Sequence, residues 1–322
     1  MSFALALTGP TASGKTSLSL ELAEHFGCEI ISVDSMQIYK HMDIGTAKAT
    51  AEERSRAEHH MIDFLSPSES YSAEDYRADA MRVLHGIESR GKLPLFVGGT
   101  GLYMDTVIRG VCLESPPSSE EVKKKLLDSA ITDEEREALF QRLKEIDPAS
   151  AEKTHKNNVR RVVRAIEIYE LTGKTKTYFD ELTKAANPEL TVGMITLDFH
   201  NRDNLYKRVD MRVDQMMEEG LLREVEELYR GGVLLKGTTA AQAIGYKEII
   251  SYLDGECTLE GAIEFLKMSS RRYAKRQLTW FRHNEDALRL YVDRESGEMK
   301  DKDELVRELF ELADKLIESK NK

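Results

Sequence analysis

The sequence predicts an α/β chain: a parallel sheet flanked by helices, interrupted by a helical insertion. Three observations predict it. The phosphate-binding pattern Gly9-x-x-x-x-Gly14-Lys15-Thr16 lies between an apolar run and a helical stretch. Short apolar runs then alternate with helical stretches, which implies parallel strands joined by helical crossovers. After Cys112 the chain turns polar and helix-prone, and a comparable apolar run returns at Met194. A sheet carrying such a loop is P-loop NTPase-like. The reading assigns residues 1–112 and 194–322 to this core and 113–193 to the insertion.

Each element has its own signal. Phe3–Thr8 reads as a strand, and Leu18, Leu22 and Phe26 mark one face of a helix over Ser17–Phe26. Glu29–Val33 is a second strand that ends at Asp34. Ala73–Ser89 is a helix with a capping box at Ser72 and Asp75. Leu93–Val97 is a strand that breaks at Gly98-Gly99, and a helix capped by Thr100 follows. In such sheets ligands bind beyond the carboxyl ends of the strands. The glycine loop, Asp34 and Thr100 are therefore expected to converge on one crevice. Pro116-Pro117 opens the insertion and Asn187-Pro188 lies near its end. Met194–Phe199 returns as a strand, and helices are expected over Arg202–Arg230, Ala243–Tyr252, Leu259–Arg282 and Arg294–Lys322.

Composition narrows the class. The 322 residues are 41% hydrophobic and 32% charged, which suits a soluble globular chain. No apolar run approaches the ~20 residues that span a bilayer, so no membrane partner is expected. Met1–Leu7 is short, lacks a basic leader and reads as a strand. The three cysteines, Cys28, Cys112 and Cys257, form no C-x-x-C pair and suggest a reducing cytoplasm. A monomer is the expected state.

A net charge of −11 argues against a polyanionic partner, but the average hides the distribution. Residues 153–176 carry seven Lys/Arg and two acids; residues 267–282 carry six Lys/Arg and no acid. A polyanion would be drawn to these two places and repelled elsewhere. Either stretch alone is as well explained by a solvated helix face.

The glycine loop offers Gly9, Pro10, Thr11, Ala12, Ser13, Gly14, Lys15 and Thr16 to an anion. Its N–H groups curl around phosphate oxygens, Lys15 adds a charge, and the Thr16 hydroxyl can ligate magnesium. The pattern does not specify a nucleotide, because a diphosphate offers the same oxygens. A kinase or hydrolase of this type also needs an acid near a neighbouring strand end to hold the metal. The strand over 93–97 ends in Gly98-Gly99-Thr100, with no acid. Asp198 lies inside MITLDF, and Asp34 is the one acid well placed at a strand end.

Eight ordered segments go further. They are GPTASGKT (Gly9–Thr16), SVDSMQIYKHMDIGTAK (Ser32–Lys48), HHMIDFLSPSESYSAEDY (His59–Tyr76) and FVGGTGLY (Phe96–Tyr103), then RRVVRAIEIYELTGK (Arg160–Lys174), RVDMRVDQMMEEGLLREV (Arg208–Val225), AAQAIGYKE (Ala240–Glu248) and RRYAKRQLTWFR (Arg271–Arg282). Together they resemble the bacterial tRNA dimethylallyltransferases, up to about residue 285. The resemblance implies transfer of a dimethylallyl group from its diphosphate to the exocyclic amine of the adenine at position 37 of tRNA. Pyrophosphate leaves, and the partner is the tRNA anticodon stem-loop.

The resemblance also implies roles. Lys15 and the loop bind the diphosphate with a magnesium ion near Thr16, and Arg208 reaches the same group. As a surface helix residue Arg208 would pair with Asp203 or Asp210. Asp34 matches the general base of the family; a cap or a magnesium ligand are its alternatives. Thr100 matches a substrate contact at the mouth. Ser35, Met36 and Gln37 match a tRNA-contacting turn, where Gln37 could bond base edges. Arg160, Arg161 and Arg164 are expected to grip stem phosphates, with Val159, Val162, Val163 and Ile166 on the buried face of their helix. Lys275 and Arg276 are expected to do the same, with Trp280 and Phe281 in the core. His59 and His60 are neighbours and a poor metal pair; the resemblance sets them near the cleft with Asp63. Tyr71 and Tyr76 read as packing residues. A P-loop small-molecule kinase and a nucleotide-gated RNA-binding module are the competing readings.

Overall fold

The computed structural model describes residues 2–108, 116–182, 189–235 and 237–320. Cys112 and Asn187-Pro188, which border the expected insertion, lie outside these residues. Strand β1 (Ser2–Thr8) runs through the glycine loop into α1 (Lys15–Phe26), and β2 (Cys28–Val33) follows. Next come α2 (Ala51–Arg56), the two-residue strand β3 (His59–His60), α3 (Ala73–Ser89), β4 (Leu93–Gly98) and α4 (Gly101–Ile108). Five helices follow: α5 (Glu120–Asp128), α6 (Asp133–Ile146), α7 (Pro148–Glu152), α8 (Val159–Thr172) and α9 (Lys176–Leu182). The chain then forms β5 (Leu190–Asp198), α10 (Arg202–Glu219), α11 (Leu221–Arg230) and α12 (Tyr246–Leu253). It ends with α13 (Leu259–Arg282), β6 (Leu288–Tyr291) and α14 (Lys302–Lys320).

The six strands form one sheet in the order β3-β2-β4-β1-β5-β6, and every neighbouring pair is parallel. Each central strand is buried on both faces, as a sheet covered by helices requires. Phe3, Leu5 and Leu7 pack with Leu20, Leu205, Val209 and Leu309 on one side. Ala4 and Ala6 meet Tyr76, Leu84 and Met104 on the other. In register, Thr8 pairs with Gly98 and Val33 pairs with Gly98. The carboxyl ends of β1, β2 and β4 therefore lie side by side, which brings the glycine loop, Asp34 and Thr100 to one rim.

The chain divides into two compact units, Met1–Ile108 with Glu189–Lys322, and Arg109–Pro188. The second has its own core of Leu126, Leu139, Leu143, Val162, Val163 and Ile166. Val159 only borders that core, half-buried.

Several expected borders move. The strand of MITLDF begins at Leu190, which is buried and pairs with Ser2, so 190–193 belong to the sheet. The helix expected over Arg202–Arg230 is broken at Gly220, whose φ of 104° no other residue adopts cheaply. Gly245 (φ 100°) delays α12 to Tyr246. The C-terminal helix starts at Lys302, not at Arg294. Strands β3 and β6 are two and four residues long, too short for an alternating pattern to register. The capping box of Ser72 and Asp75 forms as the sequence predicts.

Candidate active site

The glycine loop leaves β1 through Gly9. Its φ of 144°, and a Leu197 carbonyl oxygen 2.9 Å from where a Cβ would lie, restrict this position to glycine. Ala12, without a glycine's freedom, holds a φ of 61°. Lys15 Nζ donates to the carbonyls of Gly9 (3.0 Å) and Pro10 (2.6 Å). Ser13 Oγ is buried with no hydrogen-bond partner in the protein, an unsatisfied polar atom inside an anion-binding loop. Thr16 is half-buried at the start of α1. Arg208, on α10, donates from Nε to the Ala12 carbonyl at 2.7 Å. It is thus drawn onto the loop rather than paired with Asp203 or Asp210; Arg271 pairs with Asp210 instead.

Arg212, one turn beyond Arg208, is near enough for its charge to act on both Lys15 and Asp34. Burial and then the Arg212 charge lower the Lys15 pKa to about 7, with Asp34 opposing them. Burial pushes the Asp34 carboxyl up, although it accepts the N–H groups of Met36 (2.8 Å) and Gln37 (3.3 Å) at Oδ1. The carboxylate therefore both caps its own turn and lies in the field of the cations of the loop.

Thr100 stands across the mouth. Its N–H donates to the Val33 carbonyl at 3.1 Å, and its hydroxyl oxygen accepts the Ser35 N–H at 3.2 Å. Tyr273, from α13, lies beside Thr100 and Gln277, and burial pushes its phenol up to about 12. Gln277 is 5% exposed; it accepts the Thr11 N–H at 2.8 Å and donates to the Gly99 carbonyl at 2.9 Å.

Not every expected contact residue is available. The Gln37 amide donates to the carbonyls of Thr46 and Ala47, and its oxygen accepts from Ser32. It pins the following loop, so its base-edge role is withdrawn. Arg164 donates to buried Glu167 and to the carbonyls of Pro116 and Pro117, which makes it a strut of the helical unit. Arg160 and Arg161 stand exposed on α8, and Lys275 and Arg276 on α13. Arg276 lies over the Tyr273 ring, 5.6 Å from its centre. Phe281 is buried as expected, whereas Trp280 is 41% exposed.

Asp198 is 1% exposed and held by Arg282 (2.6 Å) and Arg289 (3.2 Å), so it is spent in a buried ion pair. His59 bonds the Ala57 carbonyl and His60 bonds Glu29, each in its own structural contact. Asp63 pairs with buried Lys48 at 2.9 Å. Tyr71 bonds Asp79, and Tyr76 is fully buried.

Sequence reading missed Arg212, Tyr273 and Gln277. A signal existed: Arg208 and Arg212, and Tyr273 and Gln277, are each four apart on one helix and share a face. Nothing local says what that face meets.

The crevice thus joins an anion cradle to a carboxylate of raised proton affinity. Residues 37–284 match the IPP transferase family. A tRNA dimethylallyltransferase of Caldanaerobacter subterraneus subsp. tengcongensis is 43% identical over 96% of this chain and 97% of its own. One of Shouchella clausii is 45% identical over 92% of this chain and 93% of its own. The crystal structure of the full-length tRNA isopentenylpyrophosphate transferase from Bacillus halodurans aligns with a TM-score of 0.72 and 42% identity, covering 99% of this chain and 98% of that one. A eukaryotic dimethylallyltransferase captured acting on tRNA aligns with a TM-score of 0.73 and 32% identity, covering 90% of this chain and 74% of its own. The chain belongs to the IPP transferase family of tRNA dimethylallyltransferases.

Proposed function

We propose that this protein transfers the dimethylallyl group of dimethylallyl diphosphate to the exocyclic amine of the adenine at position 37 of tRNA. One observation carries the reading: the anion cradle and a carboxylate with raised proton affinity share one crevice. The backbone of Gly9–Thr16, with Lys15, Arg208 and Arg212, holds the diphosphate and takes up the charge that develops as it leaves. The bond from carbon to diphosphate oxygen breaks, and a bond from carbon to the adenine nitrogen forms. Asp34 accepts the proton that this nitrogen sheds, and pyrophosphate departs. An amine whose lone pair is delocalised into the ring needs such a base.

The donor set fits a magnesium ion. Among the described residues no cluster of three His, Cys, Asp or Glu side chains could hold a metal alone. A metal held through substrate phosphates, water and the Thr16 hydroxyl is the usual arrangement for magnesium. When bound it neutralises diphosphate charge.

The insertion, with Arg160 and Arg161, and α13, with Lys275 and Arg276, contact the phosphates of the tRNA anticodon stem-loop. The turn of Ser35 and Met36, with Thr100, meets the extruded base. No helix among the described residues is long and apolar enough to cross a membrane. A monomer acting in the cytoplasm is the simplest setting for this reaction.

A kinase reading would need an acid for the metal of ATP, and Asp198 is committed to Arg282 and Arg289. The test is a transfer assay with magnesium, labelled dimethylallyl diphosphate and unmodified tRNA, run beside a tube that holds ATP instead. Label in tRNA without ATP is expected. ATP consumption without transfer would return the loop to a nucleotide.

A further inference from the structure

We infer that Gln277 is a positioning residue: its side-chain amide locks the diphosphate loop to the turn that carries Thr100, and so sets the spacing between donor and base. The inference rests on the diphosphate reading of the loop given above. Gln277 lies on α13, outside both loops, yet it joins them. Its Oε1 accepts the Thr11 N–H at 2.8 Å and its Nε2 donates to the Gly99 carbonyl at 2.9 Å. A backbone N–H only donates and a carbonyl only accepts, so the site demands one acceptor and one donor on the same planar group. An amide supplies both. A carboxylate supplies two acceptors, and a methionine of similar length supplies neither in strength.

The fit is close. A Cβ on Gly99 would collide with Gln277 Nε2, which explains a second glycine after Gly98. Tyr273, one turn earlier on α13, lies beside both Gln277 and Thr100. Thr100 in turn accepts the Ser35 N–H, and Ser35 follows Asp34. The linkage therefore runs by hydrogen bonds from Thr11 through Gln277 to the Gly99 carbonyl, along the backbone to Thr100, and by a hydrogen bond from Thr100 to the turn of the base. The two halves of the crevice belong to different strand ends, and this linkage fixes one against the other. Either substrate can still bind its own half if the link is cut; their alignment is what suffers. A misplacement of about 1 Å can cost on the order of 100-fold in rate.

The test uses the full-length enzyme and four readings: affinity for dimethylallyl diphosphate, affinity for tRNA, single-turnover transfer rate and melting temperature. Gln277→Met is expected to lower the single-turnover rate roughly 10- to 100-fold while both affinities stay within about threefold. Gln277→Glu is expected to be impaired at high pH and to recover as pH falls, because a protonated carboxyl regains a donor for the Gly99 carbonyl. An undiminished rate in Gln277→Met, or a loss matched by weaker donor binding, overturns the inference. If Gln277→Met fails to fold, Gln277→Glu decides: no recovery at lower pH overturns it. Wild-type enzyme that transfers nothing would sink the diphosphate reading itself, and this inference with it. Normal wild-type transfer beside an unaffected variant sinks this inference alone.

Discussion

The crevice and the two basic stretches handle charge in opposite ways. In the crevice, Lys15, Asp34 and Arg212 are half-buried and shift one another, and the more exposed Arg208 acts on Arg212. In the stretches, a cation is either paired or left to solvent. Lys156, Arg164 and Lys176 pair with Asp133, Glu167 and Asp180 in the first. Lys267, Arg271 and Arg282 pair with Asp214, Asp210 and Asp198 in the second. Lys153, Arg160, Arg161, Arg272, Lys275 and Arg276 stand exposed. The raw charge of a stretch therefore overstates what it offers a polyanion. Where burial is partial, the neighbours of a charge set its work; where exposure is full, only the absence of a partner frees it.

The sharpest test of the crevice is Asp34→Ala. It is expected to lower turnover about 10²- to 10⁴-fold with tRNA affinity retained, the range for a lost general base. Unchanged turnover would remove Asp34 from the chemistry and erase the contrast.

The Lys15 pKa of about 7 gives a pH test. Diphosphate affinity should fall as pH rises past about 7, by up to tenfold per unit, and Lys15→Met should lose that dependence. Stability moves the other way. The unfolded chain binds the Lys15 proton more tightly, so between about 7 and 10.5 the contribution of Lys15 to stability rises with pH, and below about 7 its cost is present in full. A flat affinity profile would mean that Lys15 is no more perturbed than an exposed lysine.

Arg164→Ala probes the paired cations. It removes the ionic partner of buried Glu167, which keeps bonds from Ser118 and Ser119. Because Arg164 is partly exposed, a loss of about 1–2 kcal/mol in stability is expected, with the salt dependence of tRNA binding unchanged. A shallower salt slope would show that Arg164 touches phosphate after all.

The smallest effect is expected from the exposed pair. Arg160→Glu with Arg161→Glu should weaken tRNA binding several-fold at moderate salt and reduce the salt slope by roughly 2. An identical slope would return that face of α8 to simple solvation.

Much of the fold is legible because its signals are local. The glycine loop, the Ser72 capping box and the full span of α13 follow from residue spacing and cap chemistry within a few positions. Two of the borders that moved depend on backbone conformation at Gly220 and Gly245, where a positive φ overrides a helical pattern. For the site, the sequence marked Lys15, Asp34 and Thr100, because loops at strand ends must meet when strands are parallel neighbours. It could not see that Gln37 and Arg164 are consumed by their surroundings, since beside Ser32 and Glu167 their partners are backbone carbonyls that carry no residue identity.

The sequence by itself determined four of the six strands and the loop, because these rest on short-range spacing, and it pointed to the family through motifs that stand in order along the chain. Only the tertiary structure decided which charges are free and what α13 does at the crevice. Hydrogen bonds such as Thr11 to Gln277 join residues far apart in the chain, and no local rule encodes which helix face meets which strand end.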